Sequence, residues 1–475
     1  MYRPRRNKGL GLSSLIFMMV ALTLGIIPAT STGAQEKLRT EVWVTNQALD
    51  KIHVIQDDIL VGEIDLAGNG DAPHLVNFSP DGRYAFVASV NNGAVTSIRT
   101  ADRAIVGNLT IPGNQGTSPP NTHQAMPLPD GTRLWAAHIA NRTLYEIDVQ
   151  TETGAVALGS RSVTLSKSPI CTVFTEDGSK AYVSLAPDGI AVVDVASMTQ
   201  IGGEIATPGA VQCGMHRLAN GEDFLVSSNG GAGSSQGVLS RLDSSNNSLT
   251  ELLRIQGTDV HGLTVDPDAH FAYLTARGSE TLITVDISEG NQTPTATVSL
   301  DVTEGVGDTP DQLDFLAGKV YVALRQVGKL AIVDGPDVAV AQLGGDLAHG
   351  VQVLDRGRPR SIISHPPSSI TLNNRFFRRI KGTSTDGASF IQFVELSLKR
   401  RGRNGCRWWN GSRLVSAGCG DTFWFRAEGK GRWEYVFNHR LPDGRYVVRV
   451  RATDEAGNVE RMQEVGRTKM FFRLR

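Results

Sequence analysis

The chain has 475 residues, 51 of them glycine, with 40% hydrophobic and only 6% aromatic residues. Its formal charge of −1 hides an asymmetry: residues from Pro366 onward carry about 22 Lys and Arg against about 10 Asp and Glu, whereas Gln35 to Pro366 carries about 21 against about 38. No long helical periodicity is present, so a helical bundle or coiled-coil rod is excluded, and the length exceeds one ordinary domain; a turn-rich all-β chain fits.

Arg3, Arg5, Arg6 and Lys8 precede an apolar run, LIFMMVALTLGII (Leu15 to Ile27), then Pro28 and small residues up to Thr32-Gly33-Ala34. That order predicts a signal peptide over residues 1–34, with an uncleaved anchor as the alternative. The run is shorter than the roughly 20 residues of a membrane-spanning helix. The expected location is extracellular, cell-surface or periplasmic.

The next segment starts in the middle of a repeating unit. EVWVTNQ (Glu41 to Gln47), KIHVIQ (Lys51 to Gln56) and ILVGEIDL (Ile59 to Leu66) read as second, third and fourth strands with no first strand before them. Complete units then recur every 40 to 50 residues or so, beginning near Pro73, Thr122, Pro169, Cys213, Val260 and Asp311. In each, a short apolar run ends in Pro-Asp-Gly or a relative. Such a turn suits Pro, which presets φ, and Gly, which accepts positive φ. An apolar strand, an Asn/Gly turn and an alternating strand ending in Val-Asp or Ile-Asp follow, as at Asp148, Asp194, Asp286 and Asp334. Four short antiparallel strands make one propeller blade. HGVQVLD (His349 to Asp355) supplies a first strand without a remainder. Joined to Glu41–Gln47 it completes a seventh blade and removes the exposed edges of an open stack.

Trp43-Val44-Thr45-Asn46 and the Pro-His…Pro-Asp-Gly starts resemble the repeats of YVTN-type bacterial β-propellers, over about Glu41 to Asp355. The resemblance implies fold and leaves function open, because the repeated residues are those that build blades.

Aligning the units on their turns puts His74, His123, Cys213, His261 and His349 at one position, with Ile170 and Pro310 or Asp311 in the other two units. First strands line a propeller's channel, so these residues form a ring at its mouth. Imidazoles and a thiolate converging on one axis suit copper or zinc. The competing reading is that the imidazoles satisfy buried backbone groups. No haem ligand is identifiable, and no cofactor is assigned beyond a transition metal at this ring. There is no Gly-x-Ser-x-Gly elbow, His-Glu-x-x-His motif or phosphate loop, and no catalytic residue is assigned. Glu304, Asp308 and Asp311 are the nearest non-repeated acids to a lactonase-like acid–histidine pair, and they are set aside.

Cys171 and Cys213 lie about one repeat apart and read either as a bridge between blades or as buried free thiols; Cys406 and Cys419 close a short loop as a disulfide. Residues 35–355 are thus expected to form the propeller, 356–369 a Pro-containing linker, and 370–475 a β-sandwich. LPDGRYVVRVRATDEAGNVE (Leu441 to Glu460) resembles the last strands of bacterial immunoglobulin-like modules. Lys399, Arg400, Arg401 and Arg403 cluster near Trp408 and Trp409 as a candidate polyanion site, or a face that docks on the acidic propeller. The leading expectation is a secreted, non-enzymatic, monomeric scaffold that binds an extracellular protein, glycan or cell-wall ligand, without nucleic acid. The alternative is a metal-binding protein or metal-dependent enzyme using the channel-mouth histidines, lactonase-like or copper-protein-like.

Overall fold

A computed structural model describes residues 40–112, 122–231, 233–288, 292–402, 405–461 and 463–475. The expected signal peptide lies outside them, as does Arg403. Among the described residues, no helix is long and apolar enough to cross a membrane.

From Glu41 to Leu354 the described strands form seven four-stranded antiparallel sheets. Six are built from consecutive strands. The seventh pairs Ala348–Leu354 with Glu41–Asn46, and Glu41 lies opposite Leu354. The first strands touch one another in order around a closed circuit, the last returning to the first. The sheets therefore radiate from a common axis as a β-propeller.

The turn chemistry explains the repeat. The amides of Gly82, Gly131, Gly178 and Gly221 bond back to carbonyls three residues earlier at 2.8–2.9 Å. All four adopt positive φ, between 65° and 79°, where a side chain would be strained. Second strands such as Tyr84–Ser89 are buried along their whole length, because neighbouring sheets cover both faces. Outer strands such as Ile59–Asp65 alternate between exposed and covered positions. Trp43 and Trp135 lie fully buried in the layers between sheets.

The remaining strands form a four-stranded and a seven-stranded sheet. One core unites them, including Ile380, Leu396, Trp409, Trp433, Tyr446 and Phe472. The segment 356–369 is not a free linker. Arg360–His365 pairs with Arg379–Thr385, and Ser361 and Ile363 point inward. Flanking prolines mask this strand in the sequence. Cys406 joins Cys419 in a disulfide.

This tail region packs on one end of the propeller's channel. Phe390 inserts beside Leu225, Val265 and Leu274. Arg217 pairs with Glu455 at 2.6 Å and Lys430 with Glu176 at 2.9 Å.

Candidate functional site: the channel and its mouth

The ring residues owe their direction to backbone bulges. Pro73 lies opposite Ser89 and Leu75 opposite Ala88, so His74 is an extra residue in the ladder. His123 is the extra residue between Thr122 and Gln124 in the same way. One extra residue also falls between Pro169 and Thr172, Val260 and Leu263, Pro310 and Leu313, and Ala348 and Val351. A bulge re-aims a side chain that regular pleating would point into a neighbouring sheet. Hydroxyls hold the bulges. Thr275 Oγ1 accepts from the Gly262 amide at 2.8 Å and donates to the Asp311 carbonyl of the next sheet at 2.7 Å. Thr45 does the same between Gly350 and His74, and Ser184 between Cys171 and Gln212.

The bulges bring His74, His123, His261, His349 and Asp311 together, all buried. The His74 and His349 rings lie with centroids 3.6 Å apart, and His74 Nε2 is 2.8 Å from His123 Nε2. With the Gln47 side-chain amide donating to His74 Nδ1 at 2.5 Å, His74 donates from Nε2 to His123. Burial, then the neighbouring imidazoles, holds His74 well below its usual pKa. Burial also holds His349 well below, despite Asp311 beside it, and lowers His123 to about 3. These three rings are neutral at neutral pH.

Asp311 is the ring's acid. Its Oδ2 accepts from Arg277 at 2.5 Å, and Arg325 lies 4.0 Å away. Its Oδ1 lies 3.1 Å from His261 Nε2 and 3.6 Å from His349 Nδ1. Burial alone would raise this carboxyl, but His349, His261 and Arg277 hold it well below the carboxylate range. The His261, Asp311 and His349 donor atoms all lie within 4.8 Å of one another. A cation there would meet the Arg277 guanidinium, which also contacts His261 Nε2 at 2.8 Å.

Cys213 leaves the ligand set. It is joined to Cys171 of the adjacent sheet, and a disulfide sulfur is not a thiolate. The sulfurs lie 3.8 and 3.9 Å from His123 Nδ1 and form, with Ile139 and Ile170, an apolar side to the ring. The polyanion cluster also loses a member. Lys399 is buried, donates to the Cys419 carbonyl at 3.1 Å and lies over Trp408 at 4.7 Å. Arg400 donates to the Asp443 carbonyl, while Arg401 is exposed.

Sequence reasoning named Asp311 but set it aside, and it missed Gln47, Arg277 and Arg325. These three occupy one position, just past a second strand. Three long donor side chains at one repeat position are the signal that would have found them.

Further along the channel lies a cavity of about 460 Å³, which Cys171 and Cys213 line but His74, His123, His261, His349 and Asp311 do not. Asn77, Gln124, Gln312 and Gln352 line it within the propeller, and the tail's Phe390, Glu455 and Ala456 line its other end. Three buried polar atoms of its wall lack partners: Gln312 Nε2, which donates, and Asn77 Oδ1 and Glu455 Oε1, which accept.

No family model matches the chain, and no curated protein is significantly similar to it. Solved structures of similar architecture include the periplasmic gluconolactonase of Pseudomonas aeruginosa, at 14% identity and TM-score 0.53, covering 66% of this chain and 99% of that one. A protein from Lactobacillus plantarum gives 14% and 0.54, with 66% and 100% coverage. A functionally unknown protein from Desulfotomaculum acetoxidans gives 12% and 0.52, with 66% and 98% coverage. At such identities the likeness is one of fold, and with the radiating sheets it makes this chain a β-propeller protein.

Proposed function

We propose that the protein is an exported, non-enzymatic binding protein that takes a small polyhydroxylated ligand, such as a glycan unit, in its channel cavity. The architecture in this reading is a seven-bladed propeller of YVTN-type repeats over residues 35–355. An immunoglobulin-like sandwich follows and serves as the cap. The Tyr446 hydroxyl supports the latter assignment by donating to the Pro442 carbonyl at 2.6 Å, as in the tyrosine corner of such sandwiches. Two disulfides support export.

The observation that carries the proposal is the unpartnered polar lining. Buried polar groups in folded proteins are nearly always hydrogen-bonded. One donor and two acceptors around a cavity in the size range of small-molecule sites match a ligand whose hydroxyls do both. The non-enzymatic part rests on proton chemistry. A general acid or base works best with a pKa near the operating pH. At the ring, the imidazoles of His74, His123 and His349 are far below it, and Asp311 is locked in ion pairs. In the cavity wall, burial pushes the Asp314 carboxyl up to about 6, but both its oxygens are held, one by the Phe315 amide and Thr264 and the other by the Val353 amide and Gln352.

Thermal shift with neutral mono- and disaccharides tests the reading. It expects a saturable rise with at least one sugar, lost in Gln312→Leu. No rise with any sugar, or a rise that Gln312→Leu keeps, refutes it. The His261–Asp311–His349 grouping favours a second reading, a copper or zinc site. Stoichiometric metal in untagged protein, removed by His349→Ala, would establish that reading; its absence after metal supplementation would end it.

A further inference from the structure

Where the propeller's last strand meets the tail, three carboxylates from three separate segments converge. Asp355 follows the strand Ala348–Leu354, Asp386 follows Arg379–Thr385, and Asp454 ends Gly444–Asp454. One oxygen from each lies within 4.8 Å of the other two. Local bonds fix their directions. Asp386 accepts from the amides of Ala388 and Ser389, Asp355 from the Gly357 amide and the Ser389 hydroxyl, and Asp454 Oδ1 from the Asn458 amide at 2.7 Å.

Asp454 Oδ2 is different. The residue is 0% exposed, and this oxygen has no hydrogen-bond partner. Among the described residues, no Lys or Arg forms an ion pair with any of the three; the nearby ion pair at this junction, Arg217 with Glu455, is separate. Three like charges brought together out of water need a counter-charge.

We propose that Asp355, Asp386 and Asp454 form a calcium site that clamps the tail region onto the propeller. The donor set is all oxygen and comes from three separate segments. That suits a hard cation with tolerant geometry, so calcium fits better than magnesium or a transition metal. Asp355, Ala388 and Ser389 also line the cavity, so the clamp sits at the capped end of the channel.

The test is calorimetric titration of the full chain with calcium chloride after chelator treatment. One site per chain is expected, together with a calcium-dependent rise in thermal midpoint and slower tryptic cleavage at Arg356. Asp386→Asn, in a half-buried loop, should weaken binding about tenfold or more. Asp301→Asn, in a different acidic group, should leave it unchanged. No calcium-dependent heat or stabilisation in the parent chain, or equal binding by Asp386→Asn, overturns the proposal. Sugar binding in the channel is read separately, so failure of one proposal does not imply failure of the other.

Discussion

Thr275→Val isolates the device that holds the ring. Thr275 is 0% exposed, and its hydroxyl serves two backbone groups, the Gly262 amide at 2.8 Å and the Asp311 carbonyl at 2.7 Å. Valine has nearly the same shape, so no cavity forms. What changes is that one buried donor and one buried acceptor lose their partner. Each such loss costs about 1–3 kcal/mol, which puts the variant about 3 kcal/mol below the parent. Thr275→Ser is the control. It keeps the hydroxyl and removes one buried methyl, a loss of about 1 kcal/mol. The assay is equilibrium unfolding in guanidinium followed by tryptophan fluorescence, comparing midpoints at equal slope. A Thr275→Val protein as stable as the parent, or more stable than Thr275→Ser, would refute the role given to the hydroxyl.

The axial imidazoles make stability depend on pH. His74, His123 and His349 sit below 6.5 in the folded chain, so below pH 6.5 the unfolded chain binds protons that the folded one refuses. Their contribution is complete above pH 6.5 and falls by about 1.4 kcal/mol per pH unit per ring on acidification, for His123 down to about pH 3. Unfolding at pH 7, 6 and 5 should show this slope, made shallower by His123→Gln; an unchanged slope in that variant contradicts the assignment. The two disulfides should differ in worth. Loop-closure entropy predicts about 4 kcal/mol for Cys171–Cys213, separated by 42 residues, and about 3 for Cys406–Cys419, separated by 13. Paired Cys→Ser variants measured by the same unfolding check the order, which reverses if chain entropy is not the dominant effect.

The strands and the closing pair were legible because they are written locally. Pro-Asp-Gly turns and buried second strands repeat, and the fragments at Glu41 and His349 need each other. The ring positions followed from aligning the turns. What joins the ring did not. The pairing of Arg277 with Asp311 spans two sheets, and the bulges exist only in the register between strands. The strand Arg360–His365 was hidden because its short alternating stretch lies between Pro359 and Pro366 and reads as punctuation. The meeting of Asp355, Asp386 and Asp454 was beyond reach for a similar reason: each comes from a separate segment, and only the docking of the tail brings them together.

The bulges have a consequence for how such a molecule can change over evolutionary time. Because the axial residue of six of these sheets is surplus to the ladder, exchanging it does not slip the register or flip a strand's inner and outer faces. Histidine, aspartate, isoleucine and a bridged cysteine already share this level of the channel without altering the sheets around them. Axial chemistry and scaffold are encoded by different letters, so the character of the axis can drift while the wheel around it stays the same.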